Sequence, residues 1–230
     1  MSPITEVNAR RVGMVVGRLP LGAPDGRRAL ARYRTAAAGY DRRTEFGEPF
    51  RRQAVDRLAL RPADVVLDVG CGTGLNFARL VEPIGEGGRL LGIDLSPHML
   101  DRARDRVDRA GWRNVTLISA AAEQFDPGVA GDAALLCATH DILRSRPALE
   151  NVLRHLKPGA RVVAAGSKWV AWWRLDGASL DLLTWQLNHE YVTTFEGFEQ
   201  PWSHLAELVA GLEVTETGFG AGYLVAGTRP

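Results

Sequence analysis

The chain has 230 residues, is 46% hydrophobic and carries a formal net charge of +1. That length suits one α/β domain with a modest appendage, and that composition an ordinary globule with ample core. The charge balance lacks the basic excess of a nucleic-acid binder, and no stretch approaches the ~18 apolar residues of a membrane span. Residues 1–26 hold Gly, Pro and Arg with little periodicity and read as a loose N-terminal arm. The remainder, 27–230, reads as a single domain that opens with a helical cap over 27–60. Strands are then expected at 64–69, 89–93, 114–119, 132–138 and 160–166, with helices between them. The first of these helices places Phe77, Leu80, Val81 and Ile84 on one face. The next starts at Ser96-Pro97, carries the stripe Met99, Leu100, Ala103, Val107 and Ala110, and stops at Gly111. Its Arg and Asp residues over 101–109 alternate as a solvated face with i,i+4 pairing rather than a phosphate track. Leu149, Val152, Leu153 and Leu156 line a third helix. Near the end, 212–217 and 223–227 read as an antiparallel closing pair. Such alternation predicts a doubly wound, mostly parallel sheet with its ligand at the carboxyl ends of the strands.

The run Val66-Leu67-Asp68-Val69-Gly70-Cys71-Gly72-Thr73-Gly74-Leu75 is a buried strand passing into a loop with glycines at alternate positions, followed by a helix. Bare amides near a helix N-terminus accept a phosphate or a small zwitterionic group. A dinucleotide fingerprint would place a small packing residue where Leu75 stands, and no G-K-[ST] follows, which excludes a P-loop. The second strand ends in an acid, Asp94, 20 residues past Gly74. An acid there accepts hydrogen bonds from the two hydroxyls of a ribose. The alternative, that Asp94 caps the following helix, is weaker because Ser96 before Pro97 is the better-placed cap.

The strand-acid-G-C-G-T-G-L run, the G-I-D-L-S-P-H-M-L run at 92–100 and the L-K-P-G turn at 156–159, in that order and spacing, resemble the class I S-adenosylmethionine-dependent methyltransferases over about residues 60–166. The resemblance implies a seven-stranded Rossmann-like sheet, S-adenosylmethionine as cofactor and a cofactor site that draws on Gly70, Cys71, Gly72, Gly74 and Cys137. It implies that Gly70 and Gly72 lie under the methionine part, that Asp94 holds the ribose and that Leu95 flanks the adenine. Asp68 is then expected to help bind the cofactor's amino end or to brace the turn. Tyr40, in Gly39-Tyr40-Asp41, is expected either to reach over the methionine end or to pack between helices. The family often carries an acid facing the adenine amino group. Here that position is an alanine, so the contact falls to backbone groups near Ala121 and Ala122, or to Glu123.

The acceptor must be read from 167–205, an aromatic-rich insertion that holds five of the six tryptophans, Trp169, Trp172, Trp173, Trp185 and Trp202. Trp173, Trp185, His189 and Tyr191 are its candidate substrate contacts. Such density fits a lid over an apolar, aromatic or lipid-like acceptor, or a small cap that uses aromatics to bury its own core. With Phe219-Gly220-Ala221-Gly222-Tyr223 near the end, the pattern resembles quinone- and phospholipid-methylating relatives. His140, just after the fourth strand, is the candidate catalytic base or else a pocket-shaping residue, with Asp141 orienting it or capping the next segment. No His/Cys/Asp/Glu group has metal-ligand spacing, so no metal is expected. Cys71 and Cys137 lack C-x-x-C spacing, so no disulfide is expected, and without a secretory pattern the protein reads as cytoplasmic. Two other readings stay open: the fold kept for a non-methylating reaction or for binding alone, and a nicotinamide oxidoreductase, which Leu75 disfavours.

Overall fold

The computed structural model describes residues 12, 13, 17, 19–171, 173, 174 and 176–230; most of the expected N-terminal arm lies outside them. Helices α1 (Gly26–Ala36), α2 (Tyr40–Arg43) and α3 (Glu48–Asp56) precede the sheet. The alternating part then runs β1 (Val65–Val69), α4 (Phe77–Ile84), β2 (Arg89–Asp94), α5 (Pro97–Ala110), β3 (Val115–Ser119) and β4 (Gly131–Cys137). It continues through α6 (His140–Leu143), α7 (Arg146–Arg154), β5 (Leu156–Ser167), α8 (Gly177–Asn188), α9 (Ser203–Ala206), β6 (Ala210–Thr217) and β7 (Gly222–Thr228).

The seven strands lie in the order β3-β2-β1-β4-β5-β7-β6. All pairs from β3 to β5 are parallel, and β7 runs antiparallel to both β5 and β6. Chain order reverses direction at β1, between β2 and β4. In an open α/β sheet that is the point where the connecting helices diverge to opposite faces and leave a crevice above the strand ends.

Period-two alternation sorts the strand residues onto two cores. Leu67, Val69, Leu91, Ile93, Leu136 and Val162 meet α7 and α9 on one face. Val66, Leu90, Leu135 and Val163 meet Ala54 of α3, Phe77 and Leu80 of α4 and Leu100 of α5 on the other. Ser96 caps α5 as expected, its Oγ accepting from the Met99 N–H at 3.4 Å, and Gly111 ends that helix in the left-handed region with φ 68°. Ser145 does the same for α7, accepting from the Ala148 N–H at 3.3 Å. Two expectations shift. Leu156 opens β5 rather than closing a helix, because Gly131 pairs with it across the sheet. Ala110 is exposed, so the α5 stripe ends one turn earlier.

Candidate active site

The carboxyl end of β1 is tied to its neighbour before the chain turns: the N–H groups of Gly70 and Cys71 both donate to the Ile93 carbonyl, at 2.7 and 3.0 Å. Gly70, Gly72 and Gly74 then take φ values of 73°, 56° and 76°, a region L side chains rarely occupy. Their surroundings differ. A Cβ on Gly70 would come within 2.5 Å of Thr139 Cγ2, and one on Gly74 within 2.6 Å of the buried Phe77 ring. A Cβ on Gly72 would meet nothing within 4 Å. Gly72 therefore presents bare backbone to open space, whereas Gly74 lets α4 pack closely. Gly70, Cys71, Gly72 and Leu75 line a cavity of about 640 Å³; Gly74 does not. The packing role a dinucleotide fingerprint gives to position 75 falls here to Gly74, and Leu75 is released to the cavity wall.

Asp94 ends β2 beside this loop and lines the same cavity. One carboxylate oxygen accepts from the Gly72 N–H and the other from the Ser96 N–H, both at 2.8 Å. Burial raises its pKa, and those two N–H groups oppose the rise. Asp68 lies beneath the loop rather than on the cavity wall. It is 1% exposed, and its carboxylate lies beside the Asn76 side chain. Burial pushes its pKa up to about 7, against the pull of the nearby Asn76 side chain and with a further push from Asp94. Asp68 is therefore set back from the cavity that Gly70, Cys71, Gly72 and Asp94 line.

Leu95 is a half-exposed rim residue, and Ala121, Ala122 and Glu123 form the wall past β3. The carbonyls of Ala121 and Ala122 are already engaged by the N–H groups of Gln124 and Phe125 and by Asn151 Nδ2, and Glu123 accepts from Ser145 Oγ at 2.7 Å. Cys137 ends β4 on the cavity, and burial pushes its thiol up to about 12, so it is protonated and a poor nucleophile at neutral pH. Cys71 is pushed up likewise, and both cysteines are free.

His140 opens α6 against the cavity, but its ring is turned to the protein. Its Nε2 lies 3.2 Å from the Glu196 carbonyl, which only an N–H can satisfy, and its Nδ1 is buried without a partner among the described residues. Phe198 packs on the ring at 4.3 Å. Burial, and then the Arg144 charge, hold its pKa down to about 3. A neutral imidazole this hard to protonate is a weak general base, so the arrangement counts against that role and fits a residue that shapes the pocket and anchors the 189–202 segment. Asp141 neither orients His140 nor caps a helix. Its two oxygens accept from the Thr193 backbone N–H at 3.1 and 3.0 Å, and one also accepts from Thr193 Oγ1 at 2.6 Å.

The N-terminal helices close the far side. Tyr40 lines the cavity and meets Tyr191 edge-on at 5.3 Å, while Tyr33 stacks on Tyr191 at 6.4 Å. Arg43 Nε donates to the Tyr191 hydroxyl at 3.0 Å. Of the four candidate acceptor contacts, Tyr191 alone lines the cavity. Trp173 is 69% exposed, and Trp185 stacks on His189 at 4.3 Å. His189 Nδ1 lies 3.0 Å from the Gln186 carbonyl. Trp169, Phe195 and Phe198 pack with Val12, Leu19 and Val192 into a separate small core. Much of the aromatic density thus buries the segment's own interior; Trp172 lies outside the described residues.

Sequence reasoning missed a link between cap and glycine loop. Thr73 Oγ1 donates to Asp41 at 2.6 Å, Arg106 Nη2 donates to the other Asp41 oxygen at 2.6 Å, and Arg106 Nε donates to the Thr73 carbonyl at 3.0 Å. Arg106 was hidden among the alternating charges of α5, where nothing local sets it apart. The cavity's apolar half, bounded by Leu30, Phe50, Leu180, Leu183 and Leu187, was equally silent: the first two fall in the expected helical cap and the other three in the 167–205 insertion, where the aromatics alone drew notice.

A side-chain-free loop at one end, a carboxylate one strand away and an apolar remainder suit a sulfonium nucleoside, and the volume falls within the ~300–1,000 Å³ usual for small-molecule sites. Among the described residues no group of three His, Cys, Asp or Glu side chains could hold a metal, and no helix is long and apolar enough to cross a membrane.

Comparisons with known proteins agree with this geometry. Residues 66–159 match the family model of the methyltransferase domain. The aklanonic acid methyltransferase of Streptomyces sp. (strain C5) is 36% identical over 89 residues, covering 38% of this chain and 40% of that protein. The ubiquinone/menaquinone biosynthesis C-methyltransferase of Azotobacter vinelandii is 34% identical over 120 residues, covering 50% of this chain and 46% of that protein. The chain thus spans less than half the length of these relatives. The N-methyltransferase NodS of Bradyrhizobium japonicum WM9, solved with S-adenosyl-L-homocysteine, superposes with a TM-score of 0.57 at 18% identity, over 79% of this chain and 87% of its own. Sheet order, glycine loop and strand-end acid agree with the family match: residues 66–159 match a methyltransferase domain.

Proposed function

We propose that the protein transfers a methyl group from S-adenosylmethionine to an O, N or C atom of a small, apolar or aromatic molecule. The observation that carries this reading is the single cavity shared by the Gly70–Gly72 loop and Asp94 at one end and by Tyr33, Tyr40, Phe50 and Tyr191 at the other. When bound, the cofactor supplies an electrophilic methyl carbon on a sulfonium. In this reading Gly70, Cys71 and Gly72 hold the amino-acid end, Asp94 holds the ribose, and Leu95, Ala121 and Ala122 enclose the adenine. Cys137 and Tyr40 border the space where donor and acceptor meet. The 167–205 segment and the N-terminal helices exclude water. Alignment of this kind supplies up to ~7–11 kcal/mol in favourable cases without covalent work by the protein. A small organic acceptor also suits a cytoplasmic protein that uses no nucleic-acid partner.

The test is product formation. The full chain, incubated with S-adenosylmethionine and a panel of phenols, quinols, amines and lipids, is expected to release S-adenosylhomocysteine with an aromatic member, as read by mass spectrometry. Cofactor binding without turnover across the whole panel would instead support a binding role.

A further inference from the structure

We propose that Arg51 makes this cavity selective for an acceptor bearing an acidic hydroxyl on an aromatic ring, which it holds as the anion. The inference rests on the methyl-transfer reading above and names the substrate class within it.

Arg51 lies on α3, lines the cavity and has a side chain only 12% exposed. Its Nη1 donates to the Thr44 carbonyl at 2.9 Å, and its Nη2 reaches Glu48 Oε2 at 3.4 Å. The other Glu48 oxygen is engaged by Arg79. Two guanidiniums therefore share one carboxylate, and the trio carries a surplus positive charge whose Arg51 member lines the cavity. The Arg51 Nε–H is buried and has no partner among the described residues. A guanidinium cannot shed its proton to escape that situation. An anionic oxygen in the cavity beside Arg51 would offset that charge.

The remaining groups around the cavity leave that role to Arg51. Asp94 is held by two backbone N–H groups, Asp141 by Thr193 and Glu123 by Ser145. Burial keeps Tyr33 and Tyr40 as neutral phenols, Tyr191 accepts from Arg43 through its hydroxyl, and His140 is neutral with its Nε2 spent on Glu196. The Arg51 field is felt at Tyr40 and Cys137, where it opposes the upward push of burial. Those two residues flank the space between donor and acceptor. No general base is needed when the acceptor arrives ionised: its hydroxyl proton passes to water, and Arg51 keeps its own protons. A cationic amine, by contrast, would meet an uncompensated like charge.

Two probes whose anions absorb in the visible, 4-nitrophenol and 4-nitro-1-naphthol, test this on the full chain saturated with S-adenosylhomocysteine; their methyl ethers serve as neutral controls. An opposite charge within ~4–6 Å lowers an acid's pKa by about 1–3. The bound probe is thus expected to ionise at a pH roughly 1 or more below the free probe. Arg51→Gln should abolish the shift, Arg51→Lys should keep part of it, and Glu48→Gln, which leaves the cation less compensated, should deepen it. A native shift that survives in Arg51→Gln, an ether bound as well as the anion, or no binding of either probe would each overturn the proposal. Should Arg51→Gln fail to fold, the Arg51→Lys and Glu48→Gln responses still decide. Calorimetry with S-adenosylhomocysteine separates the two readings: native chain that does not bind it defeats the methyl-transfer reading, whereas native-like binding without an anion preference defeats only the role of Arg51.

Discussion

Alanine placed in turn at Gly70, Gly72 and Gly74 should separate packing from ligand contact within one loop. Each substitution forces a side chain into the left-handed region, at φ 73°, 56° and 76° respectively, a strain of about 1–2 kcal/mol. At Gly72 that is the whole cost to the fold, because the new Cβ finds nothing within 4 Å. At Gly70 the Cβ would lie 2.5 Å from Thr139 Cγ2 and 3.0 Å from Ile142 Cδ1. At Gly74 it would lie 2.6 Å from the Phe77 ring, which is fully buried and has nowhere to retreat. Overpacking adds ~1–3 kcal/mol at those two sites, for a total of about 2–5 kcal/mol. With roughly 2–4 °C of melting temperature per kcal/mol for a chain of this size, Gly72→Ala should melt within a few degrees of the native chain and the other two well below it. Ligand binding should rank differently. The Gly72 methyl projects into the cavity, so calorimetry with S-adenosylhomocysteine should show a loss on the order of tenfold or more, equivalent to ~1.4 kcal/mol. If Gly72→Ala binds as tightly as the native chain, the loop is not the cradle. If all three variants melt together, the steric argument fails.

Other consequences can be checked in parallel. Asp68 is held near pKa 7 against an ordinary 3.8, so between those values the folded chain keeps a proton that the unfolded chain gives up. Stability therefore falls as pH rises through that window, by on the order of a few kcal/mol. Asp68→Asn should flatten that fall in urea unfolding; an unchanged slope would show that the carboxylate is better solvated than its burial implies. Asp41→Ala removes the bonds to Thr73 and Arg106; with Asp41 half exposed, about 1 kcal/mol of stability should go, together with a measurable share of cofactor affinity by calorimetry. Thr193→Val keeps the shape but loses the Oγ1–H donated to Asp141 and the oxygen that accepts from the Asp25 N–H at 3.0 Å. It should cost about 1–3 kcal/mol and raise hydrogen exchange over 189–198; exchange raised uniformly across the sheet would refute a local link.

The features legible in the sequence are those with local causes. A β-branched run, alternating glycines and a Ser-Pro start each fix the backbone within a few residues, so β1, the loop, β2 and the start of α5 could be read directly. Asp94 was legible for the same reason, being placed by the end of its own strand. Long-range pairings left no such trace. Asp141 looks like a helix-start acid until the chain returns 52 residues later with Thr193. Arg106 differs from its neighbours only in facing Asp41 across two elements. Aromatic density announced a compact segment but not which rings faced inward. Trp169, Phe195 and Phe198 fill its core, Trp173 faces solvent, and Tyr191 alone of the four chosen residues reaches the cavity. Arg51 gave no signal, because its significance lies in a carboxylate shared with Arg79 of α4.

The central claim is that the side-chain-free backbone of the Gly70–Gly72 loop and the carboxylate of Asp94 together recognise one nucleoside. Isothermal calorimetry with S-adenosylhomocysteine on the native chain and on Asp94→Asn tests it most directly. The native chain should bind, and Asp94→Asn, folded by circular dichroism, should bind roughly 10–150-fold more weakly, the worth of ~1.5–3 kcal/mol of charge-assisted hydrogen bonding. Equal affinity in the two chains, or no heat from either, would contradict the account.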